Sequence, residues 1–199
     1  EDFVDPYVGE SWGSLGARIL TSGNQISVTL GYPAAGMQAQ LATRLAEFLG
    51  VDDIDLQLGF SAGGGAGFGQ VKHLILVSSG KGGVGKSTTA VNLALALDAE
   101  GAKVGLLDAD IYGPSQGMML GVAEGRRPDI KDGKFFEPIR AHGLKAMSMS
   151  FMTTDKTPMV WRGPMASGAL QQILGQTLWG DLDYLIIDMP PGTGDIQFT

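Results

Sequence analysis

A glycine-rich segment near the middle of the chain has the residue types and the spacing of a phosphate-binding loop. It reads Gly80-Lys81-Gly82-Gly83-Val84-Gly85-Lys86-Ser87 and lies between a short apolar run and a helical pattern. Glycines let backbone N–H groups turn inward, and the N-terminus of the following helix adds the positive end of its dipole. In such a loop Lys86 would contact the β- and γ-phosphates of a nucleotide, and Ser87 would ligate Mg²⁺. A turn that only joined a strand to a helix would need neither side chain, so the segment predicts a P-loop with nucleotide contacts at Gly80, Lys81, Gly82, Gly83, Val84, Gly85, Lys86, Ser87 and Thr88.

Lys81 gives this loop a second lysine, which a single nucleotide does not require. A cation whose side chain leaves the loop could neutralise charge that develops on a transferred phosphoryl group, including that of a nucleotide on a neighbouring subunit. The alternative is a solvated surface lysine. The spacing alone leaves both interpretations open.

Three carboxylates follow apolar runs and are the candidate acidic groups of the site. Asp108 and Asp110 come at the carboxyl end of a predicted strand, where ligands of open α/β sheets bind. Alternation along the strand sends these two side chains to opposite sides, so we expect them to have different roles. A strand-end cap or a salt-bridge partner is the alternative for each. Asp188 ends another apolar run and has the form of a Walker B carboxylate, which reaches the Mg²⁺ shell through water.

The segment after Asp188 combines rigid and permissive residues. It reads Met189-Pro190-Pro191-Gly192-Thr193-Gly194-Asp195. This composition suits a loop with two defined states that senses the γ-phosphate. Asp195 could either cap the next helix or bind residues of a partner.

The elements that must position these residues form an α/β pattern over residues 71–199. Short continuous apolar runs are typical of parallel strands that are covered on both faces. The runs are Leu74–Val77, Val104–Leu107, Leu144–Met149 and Tyr184–Ile187. Helices are predicted over Lys86–Glu100, ending at Gly101, and over Met165–Leu178, with an apolar stripe of Leu170, Ile173, Leu174 and Leu178. The pattern predicts a P-loop domain with a mostly parallel, doubly wound sheet.

Residues 1–60 predict a separate small α+β module. Its elements are a strand over Gln25–Leu30, a helix over Met37–Leu49 and a strand over Ile54–Phe60. The predicted apolar face of the helix consists of Met37, Leu41, Leu45 and Phe48. Residues 61–70 are half glycine and are predicted to be a flexible linker.

Composition excludes several classes of protein. The 199 residues are 44% hydrophobic and carry a net charge of −7, the wrong sign for broad binding of nucleic acid or anionic membranes. There is no cysteine, so the chain has no disulfide and no thiolate for an iron–sulfur cluster. No apolar run approaches the length of a membrane span, and the first residues lack the layout of a signal peptide. We expect a cytoplasmic protein.

The two-lysine loop resembles the deviant Walker A motif of the family that includes MinD, ParA, the arsenite-pump ATPase and the nitrogenase iron protein. The resemblance implies that Lys81 crosses a dimer interface to the partner's nucleotide, in a nucleotide-sandwiching homodimer. It also implies that Asp110 orients the attacking water in switch I, and it makes Asp108 a candidate for the magnesium shell. The catalytic residues would then be Lys81, Lys86 and Asp110, and the Mg²⁺ ligands Ser87, Asp188 and Asp108. The choice of ATP rests on this resemblance.

Four longer strings narrow the resemblance to the Mrp/ApbC iron–sulfur cluster carriers. They are residues 78–87, 108–115, 161–165 and 188–195, and the resemblance covers essentially all of residues 71–199. The first 60 residues are similar to a module that many bacterial members carry. Taken alone, Trp161–Met165 fits core and turn better than a site. The resemblance implies an ATPase, converting ATP and water to ADP and phosphate, that holds a [4Fe–4S] cluster at its dimer interface and passes it to apoproteins.

Two departures limit what the resemblance implies. The family's Cys-x-x-Cys ligands lie well downstream of the switch II loop, whereas this chain ends at Thr199. The turn at residues 32–36 also lacks the cysteine that the family's module often has. Four parallel strands that end directly after a Walker B element leave a sheet incomplete. We therefore expect a fragment of a longer protein, with the cluster ligands outside this chain.

Two other classes of function stay open on the sequence. One is a MinD/ParA-like, ATP-dependent dimerisation switch that positions or recruits partners. The other is a P-loop kinase that uses the γ-phosphate on a metabolite. Sequence beyond Thr199 would separate them, since a Cys-x-x-Cys pair favours the carrier and a basic amphipathic helix favours the switch.

Overall fold

The computed structural model describes residues 1–61, 71–152 and 163–192. The chain divides into two compact units, Glu1–Gly64 with Ala99–Ala102, and Gly65–Asp98 with Lys103–Thr199. Of the predicted linker, residues 62–70 lie outside the described residues. Within the described part of the chain, no helix combines the length and the apolar character that a transmembrane segment requires.

The first unit is a three-stranded sheet covered by one helix. Its elements are β1 (Arg18–Ser22), β2 (Gln25–Leu30), a 3-10 turn (Ala35–Met37), α1 (Gln38–Leu49) and β3 (Asp55–Phe60). Strands β2 and β3 are parallel and are joined through α1, while β1 pairs with β2 in an antiparallel hairpin. Alternate residues of β2 point into the core, where they meet the buried face of α1. The core residues of this unit include Ile26, Val28, Leu30, Leu41, Leu45 and Leu56.

A buried carboxylate organises the first residues of this unit. Asp5 is fully buried, and its Oδ1 accepts hydrogen bonds from the backbone N–H groups of Tyr7, at 2.9 Å, and Val8, at 3.2 Å. Its Oδ2 accepts from Trp12 Nε1, at 3.1 Å, and from the Tyr32 hydroxyl. These four donors satisfy both oxygens of the carboxylate, as burial of a charge requires.

The second unit contains the predicted α/β domain. Its elements are β4 (Val71–Val77), α2 (Lys86–Ala99), β5 (Val104–Asp108), α3 (Gln116–Met119), β6 (Asp129–Lys131), β7 (Phe135–Glu137), β8 (Ile139–Ala141), β9 (Leu144–Ser148), α4 (Gly163–Gln176) and β10 (Leu182–Asp188). The main sheet has the order β4-β10-β5-β9-β8, in which β4, β10, β5 and β9 are parallel and β8 is antiparallel to β9. The predicted fold class, α/β with a mostly parallel sheet, is therefore confirmed.

The register of the parallel strands brings their carboxyl ends to one level. Asp188 of β10 pairs with Val77 of β4 on one side and with Asp108 of β5 on the other. Asp108 in turn pairs with Ser148 of β9. The P-loop begins just after this row of paired residues, and the carboxylates of Asp108 and Asp188 lie in the row itself.

Two predicted core positions are wrong, each for a local reason. Phe48 is 56% exposed, because α1 buries Leu41, Leu45 and Ala46 instead, and its ring packs edge-on against Phe3 at 5.7 Å. Leu178 is 37% exposed, because α4 ends at Gln176 and the Leu178 N–H pairs with Phe136 of β7.

The sequence patterns also missed four short strands. In β1 only Ile19 is half-buried, so this edge strand shows no apolar alternation. Strands β6, β7 and β8 are three residues long each, too short to show a period. The predicted bounds of the other strands shift by at most three residues.

Candidate nucleotide-binding site

The P-loop connects β4 to α2, as predicted. Gly83 and Gly85 have φ angles of +74° and +90°, a conformation that residues with a Cβ rarely adopt. The carbonyl of Gly85 accepts from the backbone N–H of Thr89, at 2.9 Å, and from its hydroxyl, at 3.0 Å, which ties the loop to the first turn of α2. At the other end, the Ser79 hydroxyl donates to the carbonyl of Lys81 at 2.9 Å.

The space beside the loop's glycines is open. A Cβ placed on any of four of them would meet no atom within 4 Å, namely Gly80, Gly82, Gly83 and Gly85. Packing against protein therefore does not explain why these positions lack side chains. An open, glycine-lined cradle at the start of a helix is what a bound phosphate requires.

Lys86 lies at the base of the loop between two carboxylates. Its side chain is 7% exposed and forms an ion pair with Asp188, and its Nζ lies 3.7 Å from Asp110 Oδ2. Nζ also donates to Ser87 Oγ at 3.2 Å. An ammonium group with so little exposure needs such partners.

Asp188 ends β10 and is fully buried. One oxygen of its carboxylate accepts from Lys86, and the other accepts from Gln116 Nε2 at 2.8 Å. Its backbone carbonyl accepts from the N–H of Ala109, at 2.9 Å, so the ends of β10 and β5 are also linked through the main chain. Both sides of this carboxylate are therefore held in place.

Asp110 and Asp108 have different surroundings, as expected. Asp110 faces Lys86 with one oxygen and accepts the N–H of Gly113, at 3.1 Å, with the other. Asp108 accepts instead from backbone N–H groups of the loop that follows it, at Asp110, Ser115 and Gln116, over 2.9–3.1 Å. Asp108 thus shapes this loop, and its role as a magnesium ligand stays a prediction.

Burial is the main cause of a raised pKa at Asp108. Burial, with the neighbouring charge of Asp188, raises the pKa of Asp108 to about 6, although the N–H groups of Gln116, Asp110 and Ser115 favour its ionised form. Carboxylates brought this close together in the interior repel one another. Additional positive charge at this edge of the sheet would relieve that repulsion.

The second lysine of the loop has a different environment from the first. Lys81 is exposed and forms no salt bridge with the residues that the structure describes. Near it, the N–H of Gly192 donates to the carbonyl of Ser79 at 2.9 Å, which attaches the segment after β10 to the start of the P-loop. Residues 193–195 of the predicted γ-phosphate sensor lie outside the described residues, as do Trp161 and Arg162.

Gln116 is a site residue that the sequence patterns missed. It is 1% exposed, and its Nε2 reaches both Asp188 and the carbonyl of Ser87, the latter at 3.0 Å. A single glutamine after a Gly-Pro-Ser loop has no spacing that marks it as functional. Only the placement of α3 against the strand ends reveals its contacts.

The residues around the P-loop fit a magnesium ion that is bound together with a nucleotide. Ser87 Oγ and the Asp188 carboxylate are oxygen donors of the kind Mg²⁺ prefers, and the two carboxylates that contact Lys86 exceed its charge. Within residues 1–61, 71–152 and 163–192, no three His, Cys, Asp or Glu side chains form a metal-binding group. The remaining ligands would be phosphate oxygens and waters, as is usual for Mg²⁺ at nucleotide sites.

Comparisons with known proteins show the family of the chain. A family model described as ParA, NUBPL iron-transfer P-loop NTPase, matches residues 70–199. The chain is 71% identical over 133 residues to an iron–sulfur cluster carrier protein of Pseudomonas fragi, covering 67% of this chain and 46% of the relative. A protein of the same name from Deinococcus radiodurans is 44% identical over 205 residues, covering 98% of this chain and 58% of the relative. The chain thus spans about half the length of these two relatives.

The chain also resembles solved structures, one of which is 40% identical to it. This structure is a nucleotide-binding protein of Archaeoglobus fulgidus in complex with ADP, with a TM-score of 0.54. The match covers 64% of this chain and 48% of that protein. The predicted resemblance to iron–sulfur cluster carriers is confirmed by these comparisons.

Proposed function

The chain belongs to the ParA family of NUBPL-type iron-transfer P-loop NTPases, and on this premise we propose that it binds and hydrolyses ATP with Mg²⁺. In the full-length protein, that reaction is coupled to carrying [4Fe–4S] clusters and transferring them to apoproteins. The chain has no cysteine, so the proposed cluster ligands lie outside it. The names of the relatives support the carrier function.

One observation carries the nucleotide part of the proposal. A buried lysine at the base of an open glycine cradle is held by two carboxylates, Asp110 and Asp188. When ATP enters, Lys86 exchanges these carboxylates for phosphate oxygens. The carboxylates are thereby released for their own roles, since they no longer neutralise the lysine.

The proposed roles follow from these positions. Ser87 and Asp188 would hold the magnesium ion, which would neutralise charge on the phosphates. Asp110 orients the attacking water. Lys81, which is exposed, reaches the nucleotide of a second copy of the chain in an ATP-bound homodimer, where it offsets charge on the transferred phosphoryl group.

The decisive experiment uses the full-length protein. It is reconstituted anaerobically with iron and sulfide, and cluster transfer to an apo-acceptor is measured with and without ATP. We expect a [4Fe–4S] absorbance, and transfer that changes with ATP. A Lys86→Ala variant should bind the cluster but lose the ATP effect, because the cluster ligands lie elsewhere.

The outcomes separate the candidate functions. A protein that binds no cluster yet dimerises with ATP would contradict the carrier proposal and favour a positioning switch. A protein that transfers a γ-phosphate to a metabolite rather than to water would favour a kinase.

A further inference from the structure

Gln116 links several segments of the chain at this edge of the sheet. Its Nε2 uses both of its hydrogens, one toward the carbonyl of Ser87 and one toward Asp188 Oδ2. Its own backbone N–H donates to Asp108 Oδ2 at 3.0 Å. One residue of α3 therefore joins the first turn of α2 to the ends of β10 and β5.

The amide orientation of Gln116 is fixed by its neighbours. Both groups that face Nε2 are acceptors, a carbonyl and a carboxylate. A flipped amide would point its oxygen at two other oxygens and would lose both hydrogen bonds. Oε1 is therefore the amide atom that faces neither the Ser87 carbonyl nor the Asp188 carboxylate.

Oε1 of Gln116 has no hydrogen-bond partner among the described residues, although it is buried. A buried amide oxygen without a partner is unfavourable, so such groups in native proteins call for an explanation. The Oγ of the adjacent Ser115 is also buried and unpartnered within the same described part of the chain. The contacts of Gln116 with Ser87 and Asp188 use only Nε2, so Oε1 stays available as an acceptor.

We propose that Gln116 is a positioning residue of the magnesium–nucleotide site, where Nε2 fixes the Asp188 carboxylate and Oε1 accepts a hydrogen bond from a water of the metal's shell. This inference rests on the proposed binding of nucleotide with Mg²⁺. It adds a residue from α3 whose contact with the metal is indirect. Outer-sphere partners of this kind orient the groups that hold a metal and tune its affinity.

The test measures how much Mg²⁺ tightens the binding of ADP. In the full-length protein, the Kd of ADP is determined by calorimetry with excess Mg²⁺ and again with EDTA, and the ratio of the two values is the metal enhancement. Gln116→Met keeps the volume but removes both amide atoms. We expect the enhancement to fall by about tenfold or more in this variant. The Kd in EDTA should stay near the parental value, because Lys86 and the glycine cradle are unchanged.

Two further variants keep the test sharp. Gln116→Leu repeats the substitution with another shape, in case the first variant does not fold, and circular dichroism monitors folding. Gln172→Leu removes an exposed amide of α4, whose contact is with Gln176, and should keep the parental enhancement.

The results distinguish this inference from the proposed function. A parental enhancement in Gln116→Met would overturn the role of Gln116 alone. Equal weakening of ADP binding in Mg²⁺ and in EDTA would also overturn it, since that result indicates a purely structural tie. If the parental protein binds ADP without any enhancement by Mg²⁺, both the inference and the proposed magnesium-dependent function are wrong.

Discussion

At the scale of residues, one lysine is held by two carboxylates, and we propose that phosphate oxygens replace them when a nucleotide binds. The side chain of Lys86 is 7% exposed, and the side chains of both acidic partners are at most 12% exposed. Removing the charge of one carboxylate strengthens the interaction of Lys86 with its remaining partners. Substitution of Asp110 should therefore affect hydrolysis differently from substitution of Asp188, because only Asp110 is proposed to orient the attacking water.

Asp110→Asn tests the proposed role of Asp110. The amide keeps an oxygen for the N–H of Gly113, so the loop should keep its shape. We expect kcat for ATP hydrolysis to fall by about 10²–10⁴-fold, the usual range for loss of a group that handles the attacking water's proton. ADP should bind as tightly as before or more tightly, since Lys86 loses a competing carboxylate.

The matched control for this variant is Asp129→Asn, at an exposed aspartate of β6 whose distance to Arg126 is 3.9 Å. It should hydrolyse ATP at the parental rate. An Asp110→Asn protein with parental kcat would return Asp110 to the role of a salt-bridge partner of Lys86.

At the scale of elements, the site depends on the loop between β4 and α2 and on the register that aligns the carboxyl ends of the parallel strands. Gly85 has a φ of +90°, and no atom lies near its missing Cβ. The requirement for glycine there is therefore one of backbone conformation rather than of space. Gly82 has the same open surroundings without a positive φ, so it provides a direct comparison.

Gly85→Ala should destabilise the second unit by about 1–3 kcal/mol, the cost of holding a residue with a Cβ in a sparsely populated conformation. Gly82→Ala should leave its stability close to the parental value. Urea unfolding without nucleotide measures both. Equal effects of the two substitutions would show that the backbone angle is not the reason.

The N-terminal segment of the first unit depends on the buried carboxylate of Asp5. Burial alone would raise the pKa of Asp5, but hydrogen bonds from Tyr32, the Tyr7 N–H and Trp12 together lower it below 3.8. The ionised form is thus the one that the folded state stabilises. This stabilisation is fully present above the unfolded pKa of about 4 and is lost as the pH falls through the lower, folded pKa.

Asp5→Asn should lower the stability of the first unit by about 1–3 kcal/mol at pH 7, because an amide cannot replace all the charge-assisted hydrogen bonds. The difference from the parental protein should shrink as the pH is lowered below about 4. The NMR signal of the Trp12 indole N–H, which donates to Asp5, reports unfolding of this unit. An exposed control is Asp52→Asn. A difference that grows toward low pH would contradict the sign of this pKa shift.

At the scale of the whole molecule, the proposed active form is a dimer that the nucleotide holds together. Lys81 is exposed and has no ion-pair partner among the described residues, which is compatible with a lysine that acts on a second copy. A solvated surface lysine would have the same environment in a single chain. Only its effect on assembly separates the two interpretations.

Lys81→Ala should abolish dimerisation with ATP and Mg²⁺ and lower hydrolysis by about 10³-fold, the lower range for loss of a cation supplied in trans. Binding of ADP to each monomer should persist, because Lys86 and the loop backbone remain. Light scattering after size exclusion, combined with a phosphate-release assay, measures both effects. Lys131→Ala, at an exposed lysine of β6, is the control. If the Lys81→Ala variant dimerises and hydrolyses ATP like the parental protein, Lys81 is a solvated surface lysine without a role in either process.

Local spacing was sufficient to predict the P-loop, the parallel strands and the candidate carboxylates. A strand–loop–helix with a fixed pattern of Gly, Lys and Ser is a contiguous signal, and continuous apolar runs distinguish buried strands from half-exposed ones. Short or edge strands such as β1 and β6 were missed, because they bury too little to show a period.

The contacts between distant segments were decided by the tertiary structure alone. The register of β4, β10, β5 and β9 sets the carboxylates at one level, and the placement of α3 brings Gln116 to Asp188, 72 residues away in sequence. Such pairings depend on how whole elements pack, and no local period encodes them. The sequence by itself therefore determined the strand–loop–helix and its pattern of Gly, Lys and Ser, because that signal is contiguous, whereas the tertiary structure decided which side chains hold the lysine and the acidic groups in place.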